Sequence, residues 1–349
     1  MTTMVKMAKR VKKAEGARVA GARRRLLALM ALPAALQLGI AGAAAAQGAS
    51  AGYPSEPVRI VVGASAGGGT DILARMLAAR FEQDMKQSFV VENRPGASNT
   101  IAAEMTARAK PDGHTLLVAT NTGQAIAPHL LRLKYDPQKD LQPIGLVAIM
   151  PNILVVSVDS PYKSVKDLVA AMKAQPGTFK YASSGIGSTQ HIAGEAFAMA
   201  TGTKAIHIPY KGSSQAHVDI IGGQVEMMLD SISSAMSQIK AGKFRPLAVS
   251  NDKRLTELPN VPTLAEEGVE GANVATWYGL LTTAGVPDEV TRRLSEALAK
   301  DHQHPDVRAR IGGLGGSTEP MSVAEFADFN RREFDRYGAL IKAANIKAE

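Results

Sequence analysis

The sequence predicts an α/β protein built on a mostly parallel sheet. Three observations carry that expectation. From Tyr53 onward, apolar runs rich in Val and Ile alternate with segments of helical periodicity. Two glycine-rich turns, about 120 residues apart, each follow a strand-like run and open a helical one. The chain has 349 residues, 45% of them apolar, which is ample for a buried core and points to two domains rather than one.

Each element follows from its local pattern. VRIVVGA reads as a strand, Thr70 to Asp84 as a helix, and SFVVENR as a second strand. NTIAAEMTARA is helical, and PDGHTLLVAT is a turn leading into a strand. PNILVVSVDS is β-rich, and the helix in PYKSVKDLVAAMK takes Ser164 as its N-cap. TFKYASSGIGS is a strand entering the second glycine turn, and TQHIAGEAFAMATG is a helix closed by Gly202. The alternation continues with a strand in KAIHIPYKG, a helix ending at Gly222-Gly223, a strand in VEMMLDS, a helix in SSAMSQIKAG and a strand in FRPLAVS. ATWYGLLTTAGVP returns to the sheet, and helices over 287–300 and 324–344 close the chain.

The N-terminus belongs to a different physical class. Nine basic residues and one acid precede or enter the run LLALMALPAALQLGIAGAAAA, which ends in Ala44-Ala45-Ala46. A basic segment, an apolar segment and an A-x-A end predict a signal peptide over 1–46, cleaved near Ala46–Gln47. The competing assignment is a membrane anchor, and Pro33, Gln37 and the closing small residues weigh against it. Arg23-Arg24-Arg25-Leu26-Leu27 also resembles a twin-arginine signal, so both export routes stay open, and Met4 or Met7 could be the true start. Outside residues 1–46, 31 basic residues meet 31 acidic ones, so the net charge of +8 resides in the export segment. That balance gives no support to nucleic-acid binding. The chain has no cysteine, which excludes disulfides, thiolate metal sites, a cysteine nucleophile and lipidation at the cleavage site. With no second long apolar run, the mature protein is expected to be soluble in the periplasm.

The first glycine turn, GASAGGGTD, runs from Gly63 to Asp71. It lacks the lysine of a phosphate loop and fits a dinucleotide fingerprint only loosely. Gly63-Ala64-Ser65-Ala66-Gly67 spells the G-x-S-x-G of a hydrolase elbow, with His191, His207 and Asp230 available, but no pattern assembles them into a triad. The histidines show no i, i+4 pairing of the kind that binds metal. The remaining reading is a backbone cradle. Gly67, Gly68 and Gly69 allow close approach, Thr70 or Asp71 caps the helix, and the N–H groups and dipole of the first turn favour an anion such as a carboxylate. The second turn, Ser183 to Thr189, adds hydroxyls at Ser183, Ser184 and Ser188 around Gly187. Either turn could also be a tight connection alone. His191, in the first turn of its helix, either faces a ligand or fills the lobe edge.

Together these blocks resemble the Bug-type (tripartite tricarboxylate transporter) extracytoplasmic solute-binding proteins. The resemblance runs from about Tyr53 to Ile346 and includes VRIVVGASAGGGTDILARMLA, VVENRPGASNTIAAEMTARAKPDGHTLLVAT, YDPQKDLQPIGLV, YASSGIGSTQHIAGEAFAMATG, HIPYKGSSQAHVDIIGGQVEMMLDS, LAVSNDKRLTELPNVPTLAEEGV and WYGLLTTAGVP. It implies a type II periplasmic binding protein fold: two α/β domains joined by two crossing strands, with the ligand cleft between them. By resemblance, residues 53–153 plus 276–349 form the discontinuous first domain, 154–275 the second, and NILVVSV and NVATWYG the crossings. It implies a monomer without cofactor or catalysis that passes a small carboxylate to membrane permease subunits. A ligand sensor docking on a membrane receptor is the alternative, and an exported serine esterase using Ser65 or Ser184 a third. The family's carboxylate grip maps onto 64–71 and 183–191. Thr120, Asn121, Tyr210, Asp230, Ser231 and Trp277 are expected to line the rest of the cleft, although Tyr210 and Trp277 could equally pack. Asp71 and Asp230 are the acids available to a ligand ammonium. Where many members carry Pro or Phe before the glycines, this chain has Ala64-Ser65-Ala66, so Ser65 makes its pocket more polar.

Overall fold

Val58–Val62 (β1) is buried at four of its five positions, as a strand covered on both faces must be. It pairs in parallel with Phe89–Asn93 (β2) on one side and Thr115–Thr120 (β3) on the other. Gly69–Met85 (α1) and Thr100–Ala107 (α2) supply the crossovers. These elements come from a computed structural model that describes residues 52–210 and 212–347. The expected export signal, residues 1–46, lies outside the described residues.

Two long strands carry the sheet onward. Leu141–Ser157 (β4) and Ala275–Thr283 (β9) are antiparallel, and β9 also pairs with β3. Residues Leu141 to Pro151 of β4 pair with β9, whereas Asn152 to Val155 pair with Met227–Ser231 (β7) and Ile153 to Ser157 with Phe244–Val249 (β8). Beyond β7 lie Lys180–Ser183 (β5) and Ile206–Pro209 (β6), again parallel. The hydrogen-bonded order is β2-β1-β3-β9-β4-β7-β5-β6, with β8 paired to β4.

A short π turn, Thr122–Ile126, runs from β3 into Ala127–Leu130 (α3). The helices Val165–Ala174 (α4), Thr189–Thr201 (α5), Ser213–Ile221 (α6) and Ile232–Lys240 (α7) alternate with β5 to β8. Asp288–Gln303 (α8), Pro305–Gly313 (α9) and Val323–Ala343 (α10) complete the chain. Several ends obey the local rules that predicted them. Ser164 accepts from the Asp167 N–H, Gly202 closes α5 in the left-handed conformation, and Ser322 with Glu325 forms a capping box on α10. Among the described residues no helix is long and apolar enough to cross a membrane.

β4 begins ten residues earlier than the apolar run alone announces, because Pro143 and Gly145 interrupt its pattern where register shifts occur. The helix α9 has too short an apolar period to be read from sequence. The largest fully buried side chains, among them Trp277, Tyr181, Phe81 and Phe197, sit between the sheet and its helices. Each such burial stabilises the fold by roughly 1.5–3 kcal/mol.

Candidate functional site

The two glycine turns occupy equivalent places. One connects β1 to α1, the other β5 to α5, each at the carboxyl end of a parallel strand. This is where open α/β sheets present helix N-termini to ligands.

In the first turn Gly67 takes φ +82°, a conformation only glycine adopts freely, and Gly68 caps α1 without any side chain. The N–H groups of Gly69 and Thr70 therefore have no intrahelical acceptor. Ser65 is exposed at the tip, and its carbonyl accepts from the Gly68 N–H. Thr70 is buried. Asp71 is buried too, and it organises the loop from within: Oδ2 accepts from the Gly67 N–H and from Arg75 Nε, both at 2.9 Å, and Oδ1 from Asn93 Nδ2 at 2.9 Å. The Arg75 hydrogen bond leads the effects that hold its pKa down at about 2.

The second turn is tighter and better furnished. Ser183 is fully buried, accepts the Gly185 N–H and lies 2.7 Å from His207 Nε2. Ser184 donates to Gln190 Oε1, and Ser188 caps α5 by accepting the His191 N–H. The Gly187 N–H donates to His191 Nδ1 at 3.1 Å, which places the ring proton on Nε2. His191 and His207 stack at 3.7 Å with rings 11° apart. Burial pushes both down to about 4, and the neighbouring His207 ring further disfavours charge on His191. His191 thus serves the turn from beneath as a neutral acceptor.

The ends of the sheet halves meet. Thr122 Oγ1 lies 3.5 Å from Thr189 Oγ1 at the start of α5. Leu130 covers Gly187 so closely that a Cβ there would sit 2.7 Å from its Cδ1. Thr120 is buried and accepts from Asn99 Nδ2 at 2.8 Å. Asn121 is buried as well; its amide donates to the Ala275 carbonyl and to the Tyr337 hydroxyl, both at 2.9 Å, tying β3 to β9 and α10.

Several expected cleft residues have other occupations. Trp277 is 1% exposed, packs edge-on against Phe326 and Phe329 of α10, and borders a cavity of about 260 Å³ with Asn273 and Arg336. Strand alternation sends its neighbour Tyr278 the other way, with the hydroxyl 3.3 Å from where a Cβ on Gly69 would be. Tyr210 donates to Asp219 Oδ2 at 2.6 Å; burial and that carboxylate push it up to about 12. The sequence offers Asp71 and Asp230 to a ligand ammonium, yet both carboxylates are engaged within the protein. Asp230 is 0% exposed; Oδ1 accepts from Ser213 Oγ and the Ser231 N–H at 2.8 Å, and Oδ2 lies 2.7 Å from His217 Nε2.

Sequence reading missed the loop after β2. Ala97, Ser98 and Asn99 all take positive φ, 45°, 53° and 72°. Asn99 packs so tightly that a Cβ on Gly63 would lie 2.6 Å from its own, and one on Gly123 3.3 Å away. One asparagine thereby gathers the loops that follow β1, β2 and β3. Pro95-Gly96 marks a turn there, but nothing in the sequence announces three consecutive left-handed residues.

The serine of the G-x-S-x-G match is the exposed Ser65, whereas the serine hydroxyl that meets an imidazole is that of Ser183, buried against His207. Glu56, Asp112 and His114 bring possible metal-ligand atoms within 4.8 Å of one another. That set lies at the amino ends of β1 and β3, opposite the glycine turns.

Comparison with known proteins matches residues 73–346 to the family described as the tripartite tricarboxylate transporter family receptor. The chain belongs to this family. Among solved structures, the periplasmic binding protein BugD is 32% identical, with a TM-score of 0.72 over 85% of this chain and 100% of that one. Rpa4515 of R. palustris, solved with adipate, is 33% identical, with a TM-score of 0.75 over 84% and 99%. MatC of Rhodopseudomonas palustris, solved with bound malate, is 29% identical, with a TM-score of 0.71 over 83% and 100%. The fold is therefore that of the type II periplasmic binding proteins, and this chain is a family member of the solute-receptor kind.

Proposed function

We propose that this protein is a non-catalytic receptor that captures a small carboxylate between the N-termini of α1 and α5 and delivers it to the membrane subunits of a tripartite tricarboxylate-type transporter. The observation that carries this reading is the paired placement of the two glycine turns, each opening a helix at the end of a parallel strand, with Thr122 and Thr189 touching across the gap. N–H groups and helix dipoles supply the attraction for a carboxylate, and bridging waters can complete its hydrogen bonds. The adipate and malate held by two family members are ligands of that chemistry.

In this reading residues 53–153 plus 276–349 form one lobe and 154–275 the other. β4 and β9 are the crossings, and closure about them buries the ligand. Ser65, Gly67 to Asp71 and Ser183 to His191 make the two jaws, with Thr120 and Asn121 behind them. Residues 1–46 direct export, with cleavage near Ala46, and the mature protein acts in the periplasm as a monomer. A thermal-shift screen of di-, tri- and aromatic carboxylates against the mature protein tests the proposal, because a ligand that binds only the native state raises Tm. A shift with a carboxylate supports it; shifts with sugars or cations alone reject it.

A further inference from the structure

We infer that the cavity between β9 and α10 is a second binding site, separate from the glycine turns, and that it takes a small neutral molecule of the aryl carboxamide class. The cavity encloses about 260 Å³ on the side of β9 that Trp277 occupies, whereas Tyr278 turns towards Gly69. An apolar cavity of about 150 Å³ already holds a benzene ring. Here Ile149, Trp277 and Phe329 supply apolar walls, and Trp277 itself is almost wholly buried.

The polar groups around the cavity define the class. Trp277 Nε1, a donor, and Asn273 Oδ1, an acceptor, are both buried without a hydrogen-bond partner among the described residues. The rest of Asn273 is committed. Its Nδ2 donates to Asp252 Oδ1 at 2.9 Å, which fixes the sense of the amide, and its carbonyl accepts from Arg336 Nη1 at 2.7 Å. A buried polar group in this state costs stability until something bonds to it. A carboxamide meets one donor and one acceptor together, because it offers C=O and N–H from a single planar group. Charge excludes the alternatives. Asp252, Glu319 and Glu333 border the cavity against Arg336, and Glu333 already holds that guanidinium at 2.9 Å. A carboxylate there meets like charge and brings no donor for Asn273, and an ammonium brings no acceptor for Trp277.

The walls come from both proposed lobes: Asp252 and Asn273 from one, Trp277, Phe329 and Arg336 from the other. Closure about β4 and β9 then reshapes the cavity, so occupancy here and capture at the glycine turns are linked reciprocally. That link rests on the proposed lobes, whereas the site itself does not.

Trp277 is the only tryptophan in the chain, so its fluorescence reports this cavity directly. The test is a fluorescence titration of the mature protein at neutral pH with benzamide, benzoate and benzylamine, which share a ring and differ in the polar group. Benzamide is expected to change the Trp277 emission saturably with a Kd near about 1 mM, the strength open to a ligand of about nine non-hydrogen atoms. The two charged analogues should bind at least about tenfold more weakly. Asn273→Ala, which keeps the reporter, is expected to weaken benzamide and to narrow its lead over benzoate. A response that does not saturate with any of the three overturns the site, and tighter binding by benzoate or benzylamine overturns the assigned class. A lead over benzoate unchanged in Asn273→Ala rejects the role of that residue. With the best carboxylate of the thermal screen bound, the benzamide Kd should shift about fivefold or more. An unshifted Kd rejects the link to closure and leaves the site standing. Should no carboxylate bind, the cleft reading falls while the benzamide titration still decides the site.

Discussion

Asn99 shows how a single side chain can hold three loops together. Its amide reaches Thr120, and its Cβ occupies the space that Gly63 leaves open. The cost of the arrangement falls on Ser98, exposed and held at φ 53°. A non-glycine residue there costs roughly 1–2 kcal/mol, and glycine's extra unfolded-state entropy returns roughly 0.5–1 kcal/mol of that. Ser98→Gly should therefore stabilise the protein by about 0.5–1 kcal/mol, seen as a rise in Tm of about 1–2 °C in calorimetry. The histidine stack gives a second residue-level expectation. His191 and His207 have folded pKa values depressed to about 4, so between pH 6.5 and 4 the unfolded chain binds protons that the native state refuses. Stability is full above about pH 6.5 and falls as pH drops through that window, by up to about 1.4 kcal/mol per pH unit per histidine. Melting curves from pH 8 to 4.5 should show this slope, and His207→Gln should flatten it. Neither Ser98 nor the stack was legible in the sequence. Asn99 is of a type that favours the left-handed region, but Ala97 and Ser98 carry no such signal, and the two histidines are brought together only by the parallel pairing of β5 with β6.

At the level of elements, the sequence was a good guide wherever burial and capping agreed with propensity. β1, β3, α4 and α5 emerge with ends close to those their caps and glycines predict. Trp277 shows where the one-dimensional pattern stops: it lies in a strand, as expected, but which face it takes depends on register. The register places it against Phe326 and Phe329, so α10 rather than a ligand fixes it. The same packing explains Gly279, since a Cβ there would meet Phe326 Cζ at 2.3 Å. Gly279→Ala should cost about 1–3 kcal/mol by overpacking, measured as a lower urea midpoint. Tyr337→Phe should cost about 1–2 kcal/mol, because it leaves the buried Asn121 amide with one acceptor fewer and frees α10 from the Ala275 carbonyl.

Across the whole molecule, one strand unites the two halves of the sheet: β4 pairs with β9 up to Pro151 and with β7 and β8 from Asn152 onward. That hand-over places the carboxyl ends of β3 and β7 on either side of it, and in the proposed reading this is how turns about 120 residues apart come to share one cleft. The alternation of strands and helices and the pair of glycine turns were readable in advance; the internal use of Asp71 and Asp230 was not, because carboxylate saturation depends on partners as remote as Asn93, Ser213 and His217. A carboxylate at 100 times its Kd should stabilise the folded state by about 2.7 kcal/mol. The most direct test is a crystal structure of the mature protein with the carboxylate that stabilises it best. The expectation is that its carboxylate oxygens lie within hydrogen-bond reach of the Gly69 and Thr70 N–H groups on one side and the start of α5 on the other. A ligand found instead in the cavity between Trp277 and Arg336, or anywhere away from the two glycine turns, would contradict it.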